Sequence, residues 1–374
     1  VAVLPNEILA EGDGQIRAMV VLAGNPVLSA PNAEELSRAF ASLDFMVAID
    51  FYINETTRFA DVILPPPSPL NRDNYDILFG QLAIRHVAKY APASVLPGPD
   101  HPDEWMILLT LAKGMMGMKS MNILEADNLI LQQMVDSELV PERERFVDLT
   151  AEEVLGKLSP DPGPARMLDL LVRLGPYGDG FGRVEGGLTL DVLRQSPHGI
   201  DLGPLEPRVP SNLTTASGRV ELAPELIIAE LPKLEARLNE DAPQMVLIGR
   251  RHLRSNNSWM HNVQALVKGP ERCTLLVHPE DAKALGLEHG GRARVKSRVG
   301  QIVALVELSN DMMRGVVSLP HGWGHDGDGA RLRVAAERPG VNVNVLSDNQ
   351  LLDGITGNAA FNGVPVDVAP STSI

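Results

Sequence analysis

Residues 43–66 read "LDFMVAIDFYINETTRFADVILPP". The run Phe45–Ile49 is apolar and of strand length, and Asp50 closes it. "NETTRFA" (54–60) suits a short helix, and "DVILP" (61–65) is a further strand, stopped by the prolines at 65–67. Upstream, "IRAMVVLA" (16–23) is a strand broken by Gly24–Asn25–Pro26, and "NAEELSRAFASLD" (32–44) follows as a helix. Asn32 can cap that helix with Glu35 three residues on, while Leu36, Phe40 and Leu43 share one face. Strands alternating with helices imply a doubly wound α/β domain around a parallel sheet, assigned to residues 1–115.

Residues 116–240 read as a helical and irregular segment ending in a linker. "ARMLDLLVRLG" (165–175) is amphipathic, and "SPDPGP" (159–164) and "SPHGIDLGPLEP" (196–207) interrupt the helical spacing. From 241 to 374 strand signals dominate: "QMVLIG", "CTLLVHP", "GRARVKS", "QIVALVEL" and "GVVSLPH". One helix, "PEDAKALG" (279–286), opens on proline and stops at glycine. Many short strands with few helices imply a closed barrel of about six strands.

The 374 residues carry a formal charge of −15, which argues against nucleic acid and anionic membranes as partners. The lone cysteine, Cys273, excludes an internal disulfide and any cysteine-ligated cluster within this sequence. No apolar run reaches the roughly 18–20 residues that span a bilayer, so no membrane insertion is expected. The first residues lack signal-peptide character and an initiating methionine, so a cytoplasmic chain cut from something longer is expected. There is no phosphate loop and no H-E-x-x-H; "GDGFGR" (178–183) has Arg183 where a dinucleotide fingerprint needs glycine. "LPHGWGH" (319–325) lacks the G-x-S-x-G partner of a serine hydrolase.

Three places carry candidate chemistry. In a parallel sheet, ligands sit beyond the carboxyl ends of strands, which selects Asn25 and Asp50; plain turn chemistry explains both residues equally. The stretch "RRHLRSNNSWMHN" (250–262) gathers three arginines, two histidines and three asparagines with no acid. There Gly249 allows close backbone approach, Arg250 suits a phosphate, and Ser255, Asn256 and Asn257 suit hydroxyls and ring nitrogens. A solvated basic loop is the alternative. Asn344 and Asn362 read as satisfied structural amides or ligand contacts, and His321 and Trp323 as a loop over a pocket or a turn.

These blocks, in this order, resemble the molybdopterin-dependent oxidoreductases, the dimethyl sulfoxide reductase superfamily with its formate dehydrogenases and nitrate reductases. "LAGNPVLSAPN", "NETTRFADVILP", "SGRVEL" (217–222), "VHPEDAKALGLEHGGRARVKSRVGQI" and "GVVSLPHGWGH" carry the likeness, over about 1–110 and 215–370. It implies a double-psi-like six-stranded barrel. It also implies a bis(molybdopterin guanine dinucleotide) cofactor with molybdenum or tungsten, clasped between the α/β domain and the barrel. By resemblance, Asn25, Ile49 and Asp50 sit on the guanosine side, and Asp103 in "HPDEW" meets the guanine. Gly249, Arg250, His252, Ser255, Asn256 and Asn257 wrap pterin and pyrophosphate, with Asn344 further on. His321 and Trp323 would border a substrate funnel. Asn71 and Arg72 stand where relatives often have Glu-Lys, and Asn362 where some have lysine.

The family's [4Fe-4S] cysteines and metal ligand lie upstream of anything resembling residue 1, so no metal ligand is expected here. The reading is the C-terminal part of an oxidoreductase, inactive alone. Its expected partners are the cofactor, the missing N-terminal half and an electron-transfer subunit. The competing reading is a non-catalytic cofactor-binding or interaction module on the same barrel.

Overall fold

The computed structural model describes residues 1–96, 98, 102–139 and 149–371. Its internal contacts divide the chain into two units: Val1–Pro65 with Val220–Ile374, and Pro66–Arg219.

In the first unit, strands β1 (Ala18–Leu22), β2 (Phe45–Ile49) and β3 (Val62–Ile63) form a parallel sheet in the order β1-β2-β3. Leu22 lies opposite Ile49, so the segments leaving β1 and β2 emerge at the same edge. The helix Ala33–Ala41 buries Leu36, Ala39 and Phe40 in a core with Ile8 and Val27. Asn32 caps it, accepting from the Glu35 N–H while its amide donates to the Glu35 carboxylate. The "NETTRFA" stretch is not an α-helix: only Thr57–Phe59 winds, as a 3-10 turn. Side chains here capture the backbone groups a helix needs. The Asn54 Oδ1 accepts from the N–H groups of Thr56 and Thr57, and the Thr57 hydroxyl donates to the Tyr52 carbonyl.

The second unit is mainly helical, with helices Glu104–Met115, Ile123–Glu138, Ala151–Lys157 and Pro164–Leu174. Strands β4 (Asn74–Tyr75), β5 (Arg85–Ala88), β6 (Tyr90–Ala91) and β7 (Ile200–Pro204) pair antiparallel as β4 with β6 and β5 with β7. Leu131, Val135, Val154, Leu170 and Phe181 form one of its cores. The buried Asp169 carboxylate is compensated by the N–H groups of Ser159 and Leu190 and by the Arg173 guanidinium.

Returning to the first unit, the barrel strands are β8 (Met245–Arg250), β9 (Thr274–Val277), β10 (Arg292–Lys296), β11 (Gln301–Leu308), β12 (Val316–Pro320) and β13 (Val364–Pro370). They close in the order β10-β11-β9-β12-β8-β13, with β13 pairing back onto β10. Two parallel pairs, β8 with β12 and β9 with β11, are joined by antiparallel neighbours. Alternate residues turn inward: Met245 and Leu247, Leu275 and Val277, Ala293 and Val295, Val317 and Leu319 share one core. The helix Pro279–Leu285 ends at Gly286, whose φ of 70° is the left-handed stop that glycine adopts without strain. Cys273 is buried, and burial pushes its thiol up to about 12, so it is an inert packing residue.

Because Leu275 is fully buried in this barrel core, Leu275→Ala should cost about 2–5 kcal/mol, read from urea unfolding. A loss below about 0.5 kcal/mol, as at an ordinary surface position, would contradict the inward register.

A carboxylate-free cleft backed by a buried Glu–His–His–Ser chain

The segments leaving β1, β8 and β12 open onto one cleft of about 560 Å³. Ala23, Gly24 and Asn25 form one wall, Gly249 to Arg251 and Asn257 to Trp259 another. His321, Gly322, Asn344, Ser347, Phe361 and Asn362 complete it. Among the described residues no carboxylate lines this cleft, although the chain carries a net charge of −15. The lining offers guanidinium, amide, hydroxyl, imidazole and indole groups, a donor set that suits an anionic, hydrogen-bonding ligand.

The arginines divide their roles. Arg250 is anchored inside the barrel end: its guanidinium donates to the Ser318 carbonyl at 2.6 Å, the Thr274 carbonyl at 2.8 Å and the Thr274 hydroxyl at 3.0 Å. Those bonds occupy its fork, whereas Arg251 is exposed at the cleft and donates to the Asn257 side chain. Asn256 and Asn257 hold φ values of 42° and 59°, a region asparagine tolerates better than most side chains. Gly322 nests beneath them; a Cβ there would lie 2.0 Å from the Asn257 carbonyl oxygen.

Behind the cleft runs a hydrogen-bonded chain of buried side chains. Asn25 Nδ2 donates to Glu55 Oε2 at 2.8 Å, while its Oδ1 accepts from the Thr56 hydroxyl at 2.7 Å. Glu55 Oε1 meets His325 Nδ1 at 2.9 Å, His325 Nε2 meets His261 Nδ1 at 2.8 Å, and His261 Nε2 meets the Ser255 hydroxyl at 2.8 Å. Glu55, His325, His261 and Ser255 are each no more than 3% exposed. Trp323 stacks on His261 with centroids 4.0 Å apart, and its buried indole N–H has no hydrogen-bond partner. Burial raises the Glu55 carboxyl, but the hydrogen bond and charge of His325 and the Asn25 amide outweigh it and hold the group below its ordinary value. Burial, with His325 beside it, pushes the His261 imidazole down to about 3.

The residues singled out by sequence are distributed as follows. Asn25, Gly249, Arg250, Asn257, His321, Asn344 and Asn362 meet at the cleft. Both ends of the Asn25 amide are committed to Glu55 and Thr56. Asn344 is buried, donating to the Leu28 carbonyl and accepting from Ser347, and Asn362 accepts from the Gly249 N–H. Ser255 is in the buried chain, Asn256 is exposed, and the half-buried His252 accepts from the Arg254 N–H. Ile49 is fully buried at its strand end. Asp50 closes a turn by accepting from Tyr52 and Asn54, with burial raising its carboxyl. Asp103 belongs to the second unit, at the start of the helix Glu104–Met115. Trp323 lies under the loop, outside the cleft lining; His321 is in the lining, and burial followed by the Arg251 charge lowers its imidazole. Glu55, His261, His325 and Arg251 were not singled out. His261 and His325 sit in two quoted stretches 64 residues apart, and no local pattern pairs them.

Residues 245–365 match the family model "Molydopterin dinucleotide binding domain", and residues 4–68 match "Molybdopterin oxidoreductase". The chain belongs to the molybdopterin oxidoreductase family. The chain is 22% identical over 318 residues to the F420-dependent formate dehydrogenase subunit alpha of Methanocaldococcus jannaschii, covering 84% of this chain and 40% of that one. It is 23% identical over 350 residues to the assimilatory nitrate reductase catalytic subunit of Bacillus subtilis, covering 88% and 42%. It thus spans about two-fifths of the length of these relatives. Acetylene hydratase from Pelobacter acetylenicus shares the fold, with a TM-score of 0.58 at 20% identity over 98% of this chain and 46% of that structure. Among the described residues, no helix is long and apolar enough to cross a membrane.

Two outcomes test this geometry. Arg250→Ala strips donors from the Ser318 and Thr274 carbonyls and should cost about 1–3 kcal/mol of stability, whereas Arg251→Ala should leave the urea midpoint nearly unchanged. Equal losses would reject the division of roles. His261 stays neutral in the folded chain down to about pH 3, while in the unfolded chain it protonates near 6.5. Acidification below that value therefore protonates the unfolded state preferentially and removes stability, about 2 kcal/mol between pH 7 and pH 5. Between pH 7 and pH 5 the wild type should therefore lose more stability than His261→Phe, by about 2 kcal/mol, read from urea unfolding at both pH values.

Proposed function

We propose that the cleft holds a guanine dinucleotide arm of a bis(molybdopterin guanine dinucleotide) cofactor, and that the chain is the cofactor-clasping part of a larger oxidoreductase. The observation that carries this is the 560 Å³ cleft with arginine, amide and hydroxyl donors and no carboxylate, in a chain of charge −15. A pyrophosphate is the ligand such a lining favours electrostatically, and the two family matches support a pterin dinucleotide as its source.

In this reading Arg251 and the loop 257–259 bind the pyrophosphate, with Ser258 supplying a hydroxyl. Gly24, Gly249 and Gly322 keep the backbone open to close approach. Trp259, 61% exposed beside the cleft, offers a face for a ring system. When bound, the cofactor supplies a molybdenum or tungsten centre for two-electron chemistry on a small substrate; the chain's own residues bind and orient it. His321 borders the approach to the metal. The metal ligand and a [4Fe-4S] cluster belong to the part of such proteins that this chain does not span, and an electron-transfer subunit is the proposed redox partner. The proposed location is cytoplasmic.

Calorimetric titration of the chain with GDP tests the reading. Binding should be micromolar, weaken at least tenfold in Arg251→Ala, and fall with added salt because the contact is ionic. A folded chain that ignores GDP sinks the dinucleotide assignment. The native protein bearing this sequence should also carry molybdenum or tungsten by elemental analysis.

A further inference from the structure

The buried chain Glu55–His325–His261–Ser255 touches no cleft surface with its rings, yet it ends at both walls of the cleft. At one end Glu55 Oε2 accepts from Asn25, which lies on the β1 wall. At the other, Ser255 is the residue from which the barrel loop folds: its N–H donates to the His252 carbonyl and its carbonyl accepts from the Met260 N–H. The left-handed pair Asn256 and Asn257 follows directly. We propose that Glu55, His325, His261 and Ser255 are positioning residues, one polarised hydrogen-bonded chain that holds the 250–260 loop so that Arg251 and Asn257 face the ligand. This rests on the reading of the cleft as a dinucleotide site.

The polarity follows from donor arithmetic. An ionised Glu55 only accepts, so His325 carries hydrogen on Nδ1. The second nitrogen of His325 then sets the rest: if Nε2 is bare, His261 donates from Nδ1 and accepts at Nε2 from the Ser255 hydroxyl, and if Nε2 carries hydrogen, His261 accepts at Nδ1 and donates from Nε2 to Ser255. Every ring nitrogen is used and each bond dictates the sense of the next. A network whose role was only to fill the interior would have no use for this directionality, since apolar side chains of similar volume pack at least as well. The stacked Trp323 and the glycine at 322 close the remaining sides, so the loop has one arrangement in which all these groups are satisfied.

The test uses the full chain with 15N-labelled histidine, read by long-range 1H–15N NMR, beside GDP calorimetry. His325 should show a protonated Nδ1, and the Nε2 atoms of His325 and His261 should be protonated together or bare together. Ser255→Ala should shift the ring nitrogens of His261 and, through it, those of His325. It should also weaken GDP binding at least tenfold with the melting temperature within about two degrees of wild type, a modest stability change. Ser255→Thr, which keeps the hydroxyl, should restore both. His261→Phe, which retains the ring against Trp323, should weaken GDP binding as Ser255→Ala does. GDP affinity unchanged in Ser255→Ala, or His325 nitrogens indifferent to it, overturns the proposal. If the wild type itself ignores GDP, the dinucleotide reading falls, and the lock is judged separately on the amide signals of residues 251–259. Signals that stay in place in Ser255→Ala then overturn the lock as well.

Discussion

The single turn of helix Pro26–Ser29 follows β1 so closely that its last carbonyls have no partner of their own. Two asparagines more than three hundred residues away supply them: Asn342 donates to the Val27 carbonyl at 2.9 Å and Asn344 to the Leu28 carbonyl at 2.7 Å. The seam continues with Asn32, whose N–H donates to the Ser347 carbonyl and whose amide donates to Asn349. Everything at the cleft depends on this seam, because it brings the end of the parallel sheet against the barrel. Most of its bonds come from neutral amides and the backbone. In a chain of charge −15 that choice avoids desolvating further ions while still satisfying buried carbonyls.

The electrostatics of the cleft follow from where the acids go. Glu55 is close enough to the β1 turn to bond Asn25, yet both of its oxygens are consumed, one by Asn25 and one by His325. Its charge is turned inward, away from any ligand. Arg250 and Arg251 both line the cleft, but the Arg250 guanidinium ties the end of β8 to the barrel carbonyls while Arg251 is exposed. A stretch that is conspicuous for its charge is therefore split between building the loop and presenting it.

A comparable division runs through the second unit, where buried acids act as structure. Asp169 gathers two backbone N–H groups and Arg173, and Asp127 receives the Gly163 N–H and Arg166. Asp103 begins a helix of that unit and is part of its own local packing. Acidic content thus sets solubility at the surface and satisfies loop backbone inside.

The sequence by itself determined the elements whose signal is local. Apolar runs of strand length produced the parallel sheet, period-2 alternation produced the inward set of the six-stranded barrel, and Asn32, Pro279 and Gly286 marked helix ends. It also determined the family, because "GNP", "NETTRFADVILP" and the barrel blocks recur in order. It suggested a short helix over "NETTRFA", of which only Thr57–Phe59 winds, because Asn54 and Thr57 bond the backbone first. Only the tertiary structure decided which residues share a site. Glu55, Ser255, His261 and His325 come from three separate segments, and hydrogen bonds between them form only after sheet, barrel and loop have packed. Local periodicity reports which face of an element is buried; it carries no term for a partner in another segment, 64 residues away for His261 and His325 and 270 for Glu55 and His325. That is why the cleft was legible as a set of turns, and the buried chain behind it was not.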